Sequence, residues 1–330
     1  MTRRSSAKQF WQILAICLFD GQTGGMDLRQ LDTLIAVAEH GRFSAAARAL
    51  HTVQSNVSTH IARLEAELAT TLVDRQSGHL TPEGEVVVAR ARRVRSEIDA
   101  LAADVASMSS EVTGRVTIGV IGTTGRWVAA AFLDAMAGAF PGIDVSLVES
   151  TTGPLIPLLS NGQIDFAIIT TPIDEPEFAT QVLFYEDLVA IAPLDHPLAA
   201  LGDRETDIVE LSHHELLVGP PGSSLRDHID SAAEQENVAI RPLAELDGVR
   251  LSATLAFQGY GPTIVPASAI PSWAARGDWV LLSIPDMPPR TVALAARRRG
   301  MLSTAAVEAR TLLLEMIAKY GPLQTGVSVR

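Results

Sequence analysis

The feature that most limits how this chain can fold lies at Thr113-Gly114, where its pattern changes. Upstream, apolar residues recur at helical spacing. Downstream, short β runs alternate with helical stretches: "RVTIGVI", "DVSLVES", "DFAII", "DLVAIAP", "ELLVGP", "PTIVP", "WVLLSI" and "TVALAARRR". Such alternation predicts an α/β fold with mainly parallel sheets. Crossovers near Asp187 to Pro193 and near Leu282 to Ala293 predict two subdomains joined by a two-strand hinge. The first would hold residues 113–189 and 288–320, the second residues 190–287. A chain of 330 residues, 47% of them hydrophobic, has room for these cores and for a separate one at residues 26–84.

In that N-terminal segment Leu28, Leu31, Leu34, Ile35 and Ala38 predict a first helix, ended by Gly41. Ser44 stands where an N-cap belongs, before the alanine-rich Ala45 to Leu50. A third helix starts near Thr52 with Val53, Val57, Ile61, Leu64 and Leu68 on one face. Residues 71–81 contain Gly78 and alternate weakly, which predicts a small hairpin or wing. Thr81 as N-cap and Pro82 at the first position begin a long helix to about Met108. Its span, within a linker of residues 85–112, suits a spacer or a dimerisation stalk.

The outer face of the third helix carries Ser55, Thr59 and Ala62, flanked by Asn56, Ser58 and Arg63, and no acid occurs between Val53 and Leu64. Short donors and acceptors at a helix N-terminus suit the edges of bases in a major groove. The wet side of an ordinary helical hairpin is the competing reading. A net charge of −12 argues against nucleic acid only until it is divided by region. Residues 27–96 hold nine Arg against eight acids, whereas residues 97–330 hold fourteen basic against twenty-nine acidic residues. A near-neutral head on an acidic body still permits DNA binding by the head.

Residues 1–25 have a basic start and an apolar run from Phe10 to Phe19, at about ten residues far too short to span a bilayer. Gln12 interrupts the run and no small-x-small cleavage site follows. Met26 opens the globular pattern, so a start-site artefact or a dispensable tail is expected here rather than an export signal or a packed helix. The one cysteine, Cys17, excludes an intramolecular disulfide framework and leaves a reducing compartment, the cytoplasm, as the expected location.

The stretch "LRQLDTLIAVAEHGRFSAAARALHTVQSNVSTHIARLEAELATTLVDR" followed by "LTPEG" resembles the N-terminal winged helix-turn-helix of LysR-type transcriptional regulators. The order of parts fits over residues 26 to about 320. The resemblance implies an α/β protein with a mostly helical winged head, a long linker helix, and an effector domain of two subdomains like a periplasmic binding protein. It implies promoter or operator double-stranded DNA as partner, a small-molecule effector in the cleft, and a homodimer or homotetramer. Gln54, Ser55, Ser58 and Thr59 would meet base edges, with Arg63 and Arg75 on phosphates. Thr59 and Ala62 replace arginines common in the family, and the wing is about two residues shorter than usual, so phosphate anchoring should be weaker.

In the body, three hydroxyl pairs follow three predicted strands: Thr123-Thr124, Thr151-Thr152 and Thr170-Thr171. Open α/β sheets bind ligands at such strand ends, and helix starts there favour an anionic or polar effector; helix caps and turn-formers alone are the competing reading of each pair. By resemblance, Pro221 and Ser223, with Tyr260 and Gly261, would close the other side. No metal or cofactor is expected: His213-His214-Glu215 has adjacent histidines that point apart and no third ligand at suitable spacing. Asp195-His196-Pro197-Leu198 reads as a turn, and "PPGSSLRD" lacks nucleophile-elbow spacing. The expected function is a ligand-responsive DNA-binding regulator, not an enzyme. The alternatives are an exported solute-binding protein and an α/β enzyme with an incidental helical head.

Overall fold

The computed structural model describes residues 25–107, 112–202, 204–271 and 278–329. Residues 1–24, and with them most of the segment expected to be a tail, lie outside the described residues. The chain divides into two compact units, one ending at Arg95 and one beginning at Ser96.

The first unit contains α1 (Leu28–His40), α2 (Phe43–Ala49), α3 (Gln54–Leu68) and the first part of α4 (Pro82–Ser107). A capping box opens α1: Gln30 N donates to Asp27 Oδ1 at 2.8 Å and Asp27 N to Gln30 Oε1 at 2.9 Å. Gly41 ends α1 in the left-handed region. Ser44 does not cap α2, because the helix starts at Phe43, behind Arg42, two residues earlier than expected. Leu34, Val37, Ala46, Val57, Ile61, Leu64, Leu72 and Val88 form one buried core.

Val53 departs from the expected apolar face. His51 adopts a left-handed φ of 50°, and the chain re-enters a helix only at Gln54. Val53 is therefore an extended N-cap outside the 100° periodicity, and it is 59% exposed. Residues 71–81 form the expected wing, an antiparallel bridge from Val73 to Leu80 with Asp74 N donating to His79 O at 2.8 Å. Thr81 caps α4 by accepting from Gly84 N at 3.0 Å. Gly84 must be glycine for a different reason: a Cβ there would lie 2.0 Å from Leu72 O.

The second unit contains two sheets. The first is built from β1 (Gly114–Ile121), β2 (Ile143–Ser150), β3 (Phe166–Thr171), β4 (Phe178–Glu186), β10 (Arg290–Arg297) and β11 (Val327–Val329), in the order β11-β4-β10-β3-β1-β2. The second has β5 (Leu188–Pro193), β6 (Glu215–Val218), β7 (Arg241–Glu245), β8 (Thr263–Pro266) and β9 (Trp279–Ser283), in the order β7-β6-β8-β5-β9. Helices α5 (Gly122–Ala139), α6 (Thr152–Ser160) and α10 (Thr304–Tyr320) follow strands of the first sheet. In the second subdomain lie α7 (Ile208–Ser212), α8 (Ser224–Gln235) and α9 (Val249–Phe257).

The sheets are mixed, not mainly parallel. β1 runs parallel to β2 and β3, but β10 is antiparallel to β3 and β4, and β5 is antiparallel to β8 and β9. The chain leaves the first sheet through β4 and returns through β10, so these two strands lie side by side in opposite directions. Each sheet packs on its own helices, around Phe132, Phe166 and Leu313 in one subdomain and Leu211, Leu216 and Ile264 in the other. Among the described residues no helix is long and apolar enough to cross a membrane.

Replacing Gly84 with Ala is expected to destabilise the head by about 1–3 kcal/mol, because the Leu72 carbonyl must move. Gly138→Ala, which meets open space within α5, should be neutral or slightly stabilising. Urea unfolding of the intact protein distinguishes the two.

Candidate functional site

On the head, Gln54, Ser55, Asn56, Thr59, Ala62 and Arg63 are exposed along one side of α3, and Ser58 is half-buried beside them. Their hydroxyl and amide groups are partly used within the helix. Thr59 Oγ1 donates to Ser55 O at 2.9 Å, and Asn56 Nδ2 to Thr52 Oγ1 at 3.0 Å. Gln54 and Arg63 have no side-chain hydrogen bond among the described residues. Arg75 is differently placed: it pairs with Glu65 at 3.3 Å. Glu65 also accepts from Leu72 N and Val73 N at 2.9 and 3.2 Å, so this carboxylate anchors the wing to α3. Of the linker arginines, Arg92 and Arg95 pair with Glu39 and Asp32 of α1.

In the second unit, register brings the C-terminal ends of several strands together. β1 and β2 pair in parallel up to Ile121 and Ser150, and β3 lies on the other side of β1, so α5 and α6 start beside Thr170. In the second sheet Val218 pairs with Glu245 and Leu217 with Thr263, which delivers the starts of α8 and α9 to the facing wall. Between them is a cleft of about 780 Å3. The N-caps of all four helices, Ile121, Thr151, Ser223 and Gly248, make no side-chain capping bond. Asp27, Asp207 and Ser303 do cap helices elsewhere. The cleft therefore collects first-turn N–H groups at four positive helix ends.

Thr123, Thr151, Thr152, Thr170, Pro221 and Ser223 line this cleft, as expected from the sequence. Four other candidates do not. Thr124 follows Thr123 around the helix and is fully buried. Thr171 follows Thr170 on a strand, faces the other side, and lines a separate depression with Phe178 and Thr291. Tyr260 is 72% exposed, and Gly261 packs where a Cβ would meet Leu243 at 2.5 Å. Hydroxyls span the cleft: Thr152 Oγ1 lies 2.8 Å from Thr170 Oγ1, which lies 2.6 Å from Ser224 Oγ. Glu149 and Arg250 form an ion pair from opposite walls. Ser223 Oγ is buried without a hydrogen-bond partner among the described residues.

The floor holds a charged cluster that sequence reading missed. Glu186, fully buried at the end of β4, accepts from Arg290 Nε and Nη2 at 2.7 and 2.6 Å; Arg290, at the start of β10, is 7% exposed. Arg290 Nη2 also donates to Thr123 Oγ1 at 2.6 Å. Ser268 Oγ donates to the other oxygen of Glu186, and its carbonyl accepts from Arg126 Nε at 2.8 Å. Burial pulls the Arg126 guanidinium below its ordinary range, and the Glu186 charge opposes that shift. These partners lie on separate strands and helices of both subdomains, so no local spacing announces them.

His214 sits edge-on to His196 with ring centroids 4.9 Å apart, and its Nε2 lies 3.3 Å from Glu210. Burial, then the neighbouring His214, hold His196 below the usual histidine range. Among the described residues no group of three His, Cys, Asp or Glu is placed to hold a metal ion.

A three-helix head with a wing, joined to two α/β lobes that enclose a polar cleft, defines a DNA-binding, ligand-responsive transcriptional regulator. The chain belongs to the LysR family. Residues 28–85 match the bacterial regulatory helix-turn-helix protein of the lysR family, and residues 109–318 match the LysR substrate binding domain. The chain is 31% identical over 276 residues to a "probable hydrogen peroxide-inducible genes activator" of Streptomyces viridosporus, covering 82% of this chain and 88% of that one. It is 30% identical over 280 residues to the DNA-binding transcriptional dual regulator OxyR of Escherichia coli K12, covering 82% and 90%. A full-length Pseudomonas aeruginosa OxyR, solved with a cysteine replaced by aspartate, superposes with a TM-score of 0.67 at 25% identity, covering 89% and 98%. The regulator CbnR bound to its target DNA has a like fold, at 0.64 and 22%. These relatives are transcriptional regulators, not enzymes.

Removing either partner of the Glu186–Arg290 pair leaves a buried charge unbalanced. Glu186→Gln and Arg290→Met are each expected to lower stability by about 3–5 kcal/mol in urea unfolding, and the double variant by less than their sum.

Proposed function

We propose that this protein is a cytoplasmic homodimeric or homotetrameric regulator whose α3 helices read an inverted repeat in promoter DNA and whose cleft takes a small anionic effector. The exposed, acid-free face of α3 carries the DNA part of this reading. Gln54, Ser55, Ser58 and Thr59 meet base edges, and Arg63 meets a phosphate. Arg75 reaches phosphate only by leaving Glu65. Dimerisation through α4 is supported by its exposed Val86, Val94, Leu101 and Val105, apolar groups that a second copy would cover.

The four uncapped helix starts at one cleft carry the effector part. An anionic group there receives backbone N–H donors and the field of aligned peptide dipoles. Asp174, Glu175, Asp227 and Asp247 also line the cleft, so net charge does not do the holding. These carboxylates favour an effector that carries a cationic or polyhydroxylated portion as well as its anion. The relatives' described response is to hydrogen peroxide, but residues 26–330 contain no cysteine. Thiol oxidation is therefore unavailable within the head and the cleft, and reversible binding by hydroxyl and amide groups takes its place.

Gln54→Ala combined with Ser58→Ala is expected to weaken binding to selected promoter DNA at least tenfold in a gel-shift assay, the scale of lost base-edge contacts. Unchanged affinity overturns the assignment. In a thermal-shift screen of the full chain, small carboxylates or phosphates should raise Tm, and Thr152→Val should reduce that rise. Stabilisation by neutral apolar ligands alone overturns the anionic reading.

A further inference from the structure

Val53 neither caps its helix nor packs in the core. It is the N-cap of α3, with φ −98° and ψ 151°, and it makes no capping bond. Ser, Thr, Asp and Asn are favoured at this position because a side-chain oxygen accepts from a first-turn N–H, and Val is among the least favoured residues there. The side chain does not pack in the core either, since it is 59% exposed while Val57, Ile61 and Leu64 behind it are buried. A residue that neither caps nor packs leaves its two methyl groups in water, next to the exposed Gln54 and Ser55.

We infer that Val53 is a specificity-determining residue of the DNA-reading surface and that its methyl groups contact the C5-methyl of a thymine in each half-site. This rests on the reading of α3 as the base-reading helix. The residues at the N-terminus of such a helix stand closest to the base edges. The thymine methyl is the one apolar feature that the major groove presents among its donors and acceptors. A β-branched side chain suits the contact, because its restricted χ1 leaves little rotamer freedom to lose on binding.

The test pairs an atom removed from DNA with a change in the protein. Full-length protein selects its preferred sites from random-sequence duplexes. Each thymine of the selected site is then replaced in turn by deoxyuridine, which lacks only the methyl group. Affinities are measured by fluorescence anisotropy at one salt concentration for the native chain and for Val53→Ser. One thymine per half-site should lose about three- to fivefold when demethylated, the scale of a single methyl group withdrawn from contact. In Val53→Ser that loss should disappear, while thermal unfolding shows equal or greater stability because serine restores the cap. Demethylation that costs nothing at any position, or costs the same in both proteins, overturns the inference while α3 stays the reader. Absence of any selected sequence overturns both.

Discussion

The arrangement of the second unit depends on one buried ion pair. Glu186 and Arg290 stand at the two places where the chain passes between subdomains, at the end of β4 and the start of β10. Neither charge could stay buried without the other. Through Ser268 the carboxylate reaches the second subdomain, and through Thr123 the guanidinium reaches the first turn of α5 at the cleft floor. The cluster joins both lobes and the floor of the cleft. Thr123 Oγ1 accepts from Arg290 Nη2, keeps its own O–H to donate, and lines the cleft.

Local chemistry made much of this readable in the sequence. Gly41 and Pro82 mark helix ends by conformational preference and Thr81 by its capping hydroxyl, and the structure has helices ending and starting there. The three threonine pairs were recognisable because strand ends in open sheets bind ligands. Adjacency then separated their members: one step along β3 sends Thr171 away from Thr170, and one step around α5 buries Thr124. Val53 was misread because its spacing fits the buried stripe, while the left-handed His51 delays the helix to Gln54.

Long-range features were not readable. β7 and β11 bury no residue, three exposed residues interrupt the buried positions of β4 after Phe178, and the antiparallel insertion of β10 between β3 and β4 depends on partners more than a hundred residues away. Arg290 and Arg250 become cleft residues only once both subdomains are assembled. A charge reading of the sequence also overcounts free cations on the head, because Arg75, Arg92 and Arg95 are engaged by Glu65, Glu39 and Asp32. DNA affinity should then rest on fewer phosphate contacts and show a shallow dependence on salt.

The insertion of β10 between β3 and β4 also sets an order of assembly on the ribosome. Residues 188–283 form the second sheet without interruption and can close while the rest of the chain is still being made. In the first sheet β4 pairs only with β10 and β11, so until β10 has emerged β4 has no strand partner and β3 is paired on the β1 side alone. A release of the chain before Arg290 would leave the second lobe complete and β4 of the first without either of its strand partners.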